Sequence, residues 1–500
     1  MTLSFDPYET TVAAIHEAMR DGDVTSRELV DWYLDRIDAY DRDGPALNSV
    51  VTVNDAARAR AAELDEALDD SGLVGPLHGI PVLVKDQAET AGIRTTFGSA
   101  VFDDYVPETD ATVVTRLKDA GAIVLAKTNL CDWAASWFGY SSATGRTKNP
   151  YALDRDPGGS SAGTGAGVAA NLGVVGIGED TGGSIRLPAG YCNLFGMRVT
   201  TGLVSRTGFA PLVSRQDTPG PMTRTAADLA RLLDTIVGYD EADVWTGANA
   251  GVADQSFTDA LDSDALDGAR IGVLRQAFGD ERNPESAPVT AVVEDALSTL
   301  ADAGATLVDP VSIPDLDEQL DETSLYVLQS KHDLNEFLGG RENAPADSVA
   351  DIEAAGGCHE LVADLFTAML DGPADPADVP EYWEGVGAQG KLQRDIMQVH
   401  AEHDLDAIVF PDAPVLPPTE RHLRDGTYST MEFPTNTVIA SQSGCPAVSV
   451  PGGLTDDGIP VGLELVGVPY DDHALVALAG AYDQVADTRE PPSTAPAGDG

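Results

Sequence analysis

Basic residues are scarce in this sequence, and acidic residues are abundant. Lysine and arginine number 30 among 500 residues, whereas aspartate and glutamate number 82, so the formal net charge is −52. A chain this acidic repels nucleic acid and anionic membrane surfaces, because binding to phosphate depends on positive charge. We therefore expect neither as a partner.

Cysteine is also scarce, and its spacing excludes two common kinds of site. The four cysteines lie far apart, without the C-x-x-C pair that a zinc site or a redox motif requires. We predict reduced and mostly buried thiols. The stretch MTLSFDPYET has neither the basic region nor the apolar region of a signal peptide, and no run approaches the about 20 apolar residues of a membrane span. These absences predict a soluble, cytoplasmic protein.

The remaining composition is that of a packed globule. Hydrophobic residues make up 43% of the chain, which argues against the disorder that an acidic sequence can indicate. Salt screens exposed charges, and at 1 M salt their interactions extend over a Debye length of only about 3 Å. At low salt the many negative charges repel one another. The composition is therefore typical of proteins from the cytosol of a halophile.

Helical and strand patterns alternate along the chain and predict an α/β fold. Residues 9–40 predict two helices, the second opened by a capping box of Thr25 and Glu28. Residues 78–86 predict a buried strand, and residues 111–129 a helix, a glycine stop and a strand. Further strands are expected near residues 270, 306, 407 and 447, with a helix before the second of them and an acidic helical stretch from about 315 to 405. We expect one domain over 1–487 and a disordered tail over 488–500.

The most conspicuous short motif is GSSAG within PGGSSAG, residues 157–163, which matches the nucleophile elbow G-x-S-x-G. An elbow needs a strand before its serine, but the preceding NPYALDRDPG predicts a loop. A Ser-His-Asp triad also needs a histidine, but none of the eight present has an obviously catalytic setting, and His78 and His473 are the best placed of them. The motif therefore does not indicate such a triad.

Cofactor motifs are equally weak. GAGVAA, residues 165–170, matches a dinucleotide fingerprint in letters but lacks a preceding strand, so a closely packed helix of small residues is the better interpretation. AGAIVLAKT, residues 120–128, has alanine where a phosphate loop needs its second glycine. No metal-binding constellation is present in the pattern. We expect neither a cofactor nor a metal.

A third serine has a more suitable setting in EDTGGSIRLPAG, residues 179–190. The backbone N–H groups of Thr181, Gly182, Gly183 and Ser184 can converge there on one oxygen, as an oxyanion hole requires. A plain glycine turn with a capping serine is the alternative. Lys85, which ends the apolar run IPVLV, is a candidate base because desolvation lowers the pKa of a buried lysine. A structural ion pair at the end of the strand remains open, since Asp86 follows.

Taken together, these motifs resemble the amidase signature hydrolases, a family with a Ser-Ser-Lys triad. The matching stretches are GIPVLVKD with TTFGS, AGAIVLAKTN, PGGSSAG, DTGGSIRLPA, GPMTRTAADLA and CPAVSVPGGLTDDGIPVGLELVG, and they cover nearly the whole chain. The resemblance implies a large, mixed, twisted central sheet with helices on both faces. It also implies a signature core over about 75–235 and a helical, substrate-side segment over about 315–405.

The resemblance implies a role for each matching residue. Ser184 would be the nucleophile, Lys85 the general base, and Ser160 the bridging serine, joined to Gly159 by a cis peptide bond. Thr181, Gly182, Gly183 and Ser184 would form the oxyanion hole. Three further residues would support the site: Ser161, Asp180 and Arg186. From the same resemblance we expect the hydroxyl of Ser160 to reach both Lys85 and Ser184.

Two positions depart from the family pattern. Arg198 stands where the family usually has the lysine of C-G-x-x-G-x-K-P-T, and the following proline is missing, so we expect the neighbouring loop to pack differently. Glu179 stands where a small residue is usual, and we attribute this difference to the general acidity of the chain.

The implied function is hydrolysis of a carboxylic acid amide by a free-standing amidase, which the D-L-N-x-x-L pattern within residues 330–356 favours. The alternatives are the glutaminase subunit of a tRNA-dependent amidotransferase and, more remotely, a non-catalytic scaffold. An aromatic wall of the substrate pocket is expected from Trp133, Trp137, Phe138 and Tyr140, with a place in the core as the alternative. The acyl group is left open, as is the oligomeric state, for which a homodimer is one option.

Overall fold

A mixed sheet of eleven strands crosses the centre of the computed structural model, which describes residues 4–251, 255–341 and 343–497. Its strand order is β1-β3-β2-β6-β8-β7-β12-β13-β11-β9-β10. The strands are β1 (Val50–Val53), β2 (Pro81–Lys85), β3 (Ile123–Thr128), β6 (Val175–Glu179), β7 (Phe195–Arg198), β8 (Pro219–Thr223), β9 (Arg270–Leu274), β10 (Thr306–Val311), β11 (Ala407–Pro411), β12 (Ala447–Leu454) and β13 (Pro460–Val466), and a separate hairpin is formed by β4 (Tyr140–Ser141) and β5 (Gly145–Arg146).

Helices flank this sheet, which confirms the predicted α/β class. The helices are α1 (Val12–Asp21), α2 (Ser26–Arg36), α3 (Ala57–Ser71), α4 (Thr112–Asp119), α5 (Ala162–Ala169), α6 (Arg186–Tyr191), α7 (Ala226–Ile236), α8 (Ala287–Asp302), α9 (Leu316–Glu322), α10 (Tyr326–Gly339), α11 (Val349–Ala355), α12 (Ala363–Leu370), α13 (Pro380–His403), α14 (Glu420–Arg424), α15 (Val438–Ser443) and α16 (Asp472–Ala486). The predicted capping box opens α2. Within the described residues, no helix is both long enough and apolar enough to cross a membrane.

The strands that matter for the site lie side by side. β2 runs parallel to both β3 and β6, and all five residues of β2 are buried. An unbroken apolar run is typical of a parallel strand covered on both faces. Because β2 and β6 are parallel neighbours, their final residues, Lys85 and Glu179, meet at the same edge of the sheet.

The glycine-rich stretch before β6 forms helix α5, which packs on β2 and β6. A Cβ on Gly163 would overlap backbone atoms of Ser49 and Asn129, and a Cβ on Gly176 would overlap the side chain of Thr164. The small residues therefore allow the close packing that the sequence predicts.

Residues 488–497, which the composition predicts to be a disordered tail, pack against the rest of the protein. Ala495 is fully buried. The guanidinium of Arg36 donates hydrogen bonds to the carbonyl oxygens of Ala495 and Pro496, each at 2.9 Å. The polar and proline-rich composition of this stretch suggests a free tail. Its carbonyl groups nevertheless accept hydrogen bonds from Arg36, a buried arginine of α2. Residues 498–500 lie outside the described part of the chain.

Candidate active site

Lys85 ends β2 inside the protein, with none of its surface exposed. Its Nζ donates to Oγ of Ser160 at 2.8 Å and to the carbonyl oxygen of Glu179 at 3.1 Å. Burial lowers the pKa of this lysine, while the nearby carboxylate of Glu179 opposes the change. A lowered pKa makes the neutral amine, the form that can accept a proton, accessible.

The structural ion pair that the sequence allows for Lys85 belongs to a different lysine. Asp86 accepts a hydrogen bond from Nζ of Lys127 at 3.0 Å, and both side chains are fully buried. Thr96 donates to the same carboxylate through its backbone N–H at 2.7 Å and its hydroxyl at 2.6 Å. Asp86 is therefore satisfied within the core, and Lys85 contacts Ser160 and Glu179 instead.

The two serines of PGGSSAG lie in the loop before α5, beneath the end of β6. The Gly159–Ser160 peptide bond is cis. The hydroxyl of Ser161 hydrogen-bonds both the N–H and the carbonyl oxygen of Glu179, each at 3.3 Å. The expected contact of Ser160 with Lys85 is present, and Ser161 ties this loop to the last residue of β6.

The expected hydrogen bond between Ser160 and Ser184 is absent. Among the described residues, the hydroxyl of Ser184 has no hydrogen-bond partner, and Ser184 lines a cavity. The two loops are joined by the backbone instead, where the N–H of Ser161 donates to the carbonyl oxygen of Ser184 at 3.2 Å. Catalytic hydrogen bonds often align only when substrate is bound, so the geometry is compatible with a relay that closes later.

The loop from β6 to α6 carries the predicted oxyanion donors. In the described structure, the backbone N–H groups of residues 181–184 donate to no other residue. The loop is held from the other side, because the hydroxyl of Thr437 donates to the carbonyl oxygen of Gly182 at 2.8 Å. Successive unpaired N–H groups beside a cavity are the arrangement that stabilises an oxyanion.

Asp180 anchors this loop from below. It is fully buried and accepts hydrogen bonds from Arg186, from Arg198 and from the backbone N–H of Ile185. Burial alone would raise its pKa, but the two guanidinium groups hold the pKa low, at about 2. Arg198, the departure from the family pattern, ends β7 and donates to the carbonyl oxygen of Asp180 at 2.7 Å. The substituted arginine is thus part of the loop's support.

Glu179 is buried beside Lys85, although its residue type suggested one more acidic residue of the surface. Its side chain is 1% exposed, and its Oε2 lies 3.5 Å from Nζ of Lys85. It therefore does not belong to the acidic surface, and its attribution to the general acidity of the chain is wrong. Its position immediately before DTGGS was a local signal, but the contact depends on the pairing of β2 with β6.

A cavity of about 410 Å³ opens above Ser184. Its walls come from four stretches, residues 134–137, 181–184, 320–327 and 430–442, together with Leu212 and Leu365. The third stretch lies in the helical region that was expected to contribute. The fourth was missed, because nothing in its local pattern indicates that it reaches the serines.

The aromatic wall is mostly core. Trp137 lines the cavity, and its indole N–H donates to the carbonyl oxygen of Thr430 at 3.0 Å. Trp133 stacks on Phe97 in an apolar cluster. Phe138 and Tyr140 pack in another cluster. Only one of the four predicted aromatic residues therefore faces the cavity.

No histidine of the described residues lines the cavity above Ser184 or hydrogen-bonds Ser160 or Ser184. His473 stacks on Phe257, with ring centroids 3.9 Å apart, and His78 accepts a hydrogen bond from the backbone of Val74. Neither lines the cavity above Ser184. A histidine-based triad is therefore excluded for this site.

The loop glycines lead to a testable prediction. Gly183 has a φ of 139°, and a Cβ there would overlap the side chain of Thr437. We expect Gly183→Ala to lower kcat/KM by about 10-fold or more, because about 1–3 kcal/mol of backbone strain would be relieved by moving the oxyanion donors. Steady-state kinetics and thermal unfolding measure the two effects.

Gly387→Ala is the matched control. Gly387 lies in α13, where a Cβ would meet no atom within 4 Å. Alanine should stabilise that helix by up to about 1 kcal/mol and leave the kinetics unchanged. Equal kinetic effects of the two substitutions would contradict a specific role for the Gly183 backbone.

Comparison with known proteins agrees with this geometry. A family model described as "Amidase" matches residues 28–476. The chain is 34% identical to a glutamyl-tRNA(Gln) amidotransferase subunit of Synechococcus sp. (strain CC9605), over 96% of this chain and 97% of that protein. It is also similar to the solved structure of the native peptide amidase from Stenotrophomonas maltophilia, with a TM-score of 0.85 and 36% identity, over 97% of this chain and 99% of that one. For the corresponding glutamyl-tRNA(Gln) amidotransferase subunit from Thermotoga maritima the TM-score is 0.75 and the identity 27%, over 98% of each chain.

Proposed function

This chain belongs to the amidase family and is a C–N hydrolase that acts on amides, and we propose that Ser184, Ser160 and Lys85 carry out the hydrolysis. One observation carries the assignment. The fully buried Lys85 contacts Ser160 at 2.8 Å, and Ser184 lines a cavity in a loop whose backbone N–H groups, from residue 181 to residue 184, are unpaired among the described residues. A histidine is not needed, because a neutral lysine can serve as the base.

The reaction begins with attack of Ser184 Oγ on the amide carbonyl carbon. The proton of Ser184 passes to Ser160 as the proton of Ser160 passes to the neutral amine of Lys85. The backbone N–H groups of residues 181–184 stabilise the negative charge on the carbonyl oxygen. The proton then returns along the same path to the leaving nitrogen, and ammonia or an amine departs. Water hydrolyses the acyl-enzyme by the same relay.

The charge of the cavity supports an acyl group without a free carboxylate. Among the described residues that line it, Asp321 is the only charged one. The α-carboxylate of free glutamine would meet no cationic side chain there, and burying an unpaired charge is costly. An amidated peptide end carries no such carboxylate. By analogy with the peptide amidase relative, we propose neutral or cationic amides, including peptide amides, as substrates.

The second candidate is the glutaminase subunit of a tRNA-dependent amidotransferase. The identity of 34% to an amidotransferase subunit, over nearly the full length of both proteins, favours it. The higher TM-score and identity to the peptide amidase among the solved structures favour the free-standing enzyme instead. We propose an enzyme that works without other subunits in a salt-rich cytoplasm, as the net charge of −52 suggests.

A substrate panel tests this proposal. Ammonia release is measured from glutamine and from aliphatic, aromatic and peptide amides, with the purified single chain in molar KCl. We expect turnover of uncharged and peptide amides to exceed that of glutamine by about 10-fold or more, since a buried, unpaired carboxylate costs several kcal/mol. Turnover confined to glutamine, or dependent on other added subunits, would favour the second candidate.

A further inference from the structure

Glu179 contributes a second ionisable group to the proposed base. Lys85 and Glu179 end two adjacent parallel strands, and Nζ of the lysine lies 3.5 Å from Oε2 of the glutamate. The lysine is 0% exposed and the glutamate 1%. In the described structure Oε2 has no hydrogen-bond partner, while Oε1 accepts one from the hydroxyl of Thr181 at 3.3 Å. The free oxygen of Glu179 is therefore the one that faces the lysine.

The other charged groups around Glu179 are mostly acidic. Asp180 follows it in the chain, and Asp217 faces it from the loop before β8. Glu179 also lines a second cavity of about 370 Å³, whose other charged groups are Arg206, Asp217, Asp243, Asp333 and Glu336. Arg206 is paired with Asp243. Arg198 is a further cation near Glu179, but it donates to Asp180. Cys131 is a further titratable group near Lys85. Lys85 is thus the cation in direct contact with the Glu179 carboxylate.

The electrostatics follow from this arrangement. Burial raises the pKa of Glu179, and the charge of Asp217 raises it further, whereas Lys85 opposes both. Burial lowers the pKa of Lys85, and the charge of Glu179 opposes that change. An opposite charge within about 4–6 Å favours the ionised form of a group. The carboxylate therefore keeps Lys85 a stronger base than burial alone would allow.

We propose that Glu179 is a positioning residue that stabilises the ammonium form of Lys85 and sets the pH at which catalysis begins. The inference rests on the proposed function. When Lys85 takes the proton of Ser160, its new N–H bond creates a positive charge 3.5 Å from the carboxylate. The matching negative charge appears on the substrate oxygen, and Glu179 itself changes no bond.

Glu179 lines a cavity that is separate from the proposed substrate cavity, and this separation predicts an effect of the Glu179 variants on kcat. The residues that line it differ from those that line the cavity above Ser184. Substrate bound in the cavity above Ser184 therefore leaves the space beside Glu179 unfilled, and the contact between Glu179 and Lys85 persists in the enzyme–substrate complex. The proposed dependence on pH should therefore appear in kcat, which reports the ionisations of the enzyme–substrate complex.

The test compares the pH dependence of kcat for the wild type with that for Glu179→Gln and Glu179→Ser. Removing the carboxylate lowers the pKa of Lys85, so the neutral amine forms at lower pH. We expect the acid limb of the profile to move down by about one pH unit or more. The plateau should fall by about 10-fold, because the lysine is a weaker base and its ammonium form lacks a counter-charge. Glu336→Gln, which removes an exposed carboxylate from the same second cavity, should change neither the position of the acid limb nor the height of the plateau.

The outcomes separate this inference from the proposed function. An acid limb that stays in place in both Glu179 variants overturns the inference, even if kcat falls, because lost packing alone lowers kcat without moving the limb. For a variant with low turnover, single-turnover acylation yields the same midpoint, which is independent of the height of the plateau. Full activity of Ser184→Ala would instead overturn the proposed function, whatever the Glu179 variants do.

Discussion

Replacing Ser184 with alanine should reduce kcat/KM for amide hydrolysis by about 10⁴-fold or more, because the acyl-enzyme can no longer form. The fold should survive, since the hydroxyl of Ser184 has no hydrogen-bond partner among the described residues and its side chain faces the cavity. Ammonia release measures the activity, and circular dichroism with thermal unfolding checks the structure. The residual rate should reflect binding and the oxyanion donors alone.

Ser298→Ala is the control for this substitution. Ser298 is exposed on α8, and its hydroxyl donates to a carbonyl oxygen of its own helix. Its loss should leave both activity and unfolding unchanged. If Ser184→Ala also retained its activity, the nucleophile would have to be another residue, and the assignment of the β6–α6 loop as the site of attack would be wrong.

Replacing Lys85 with methionine should likewise abolish activity, by about 10³-fold or more, because no other base contacts Ser160 among the described residues. The effect on stability should be small. Glu179 loses its cation, but burial already raises the pKa of this carboxyl, and it can take up a proton and become neutral. Activity and thermal unfolding of the same preparation measure both effects.

Lys127→Met is the matched control, since Lys127 is equally buried on the adjacent strand β3. It should destabilise the protein by about 3–5 kcal/mol, because the fully buried side chain of Asp86 would lose its ion-pair partner. Replacement of Lys85 should therefore affect mainly activity, whereas replacement of Lys127 should affect mainly stability. The reverse pattern would assign the base to Lys127.

Much of the fold follows from local patterns. The alternation of apolar runs and helical periods predicts β2, α4 and β3, and the structure confirms all three. The capping residues of α2 are also readable, because capping depends on side chains within four residues of one another. The roles of Ser184, Ser160 and Lys85 follow from family motifs and stay predictions, although the contact of Lys85 with Ser160 is present.

The errors concern contacts between distant segments. The tail up to residue 497 looks disordered by composition, but its carbonyl groups satisfy Arg36. Three of the four aromatic residues expected in the pocket lie in apolar clusters, because a local pattern does not distinguish a core face from a cavity face. Glu179 looks like one more acidic residue, yet it is buried against a lysine 94 positions earlier in the chain.

The sequence by itself predicted the α/β class, because periodicity reveals helices and strands, and it argued against a histidine-based triad. The residues proposed for catalysis follow from its resemblance to the amidase signature hydrolases. Only the tertiary structure decided which of two buried lysines pairs with Asp86, which walls enclose Ser184 and which charge faces Lys85. Such contacts depend on the order and register of strands that are far apart in the chain. That order is set by the packing of the whole sheet, which no short stretch of sequence encodes.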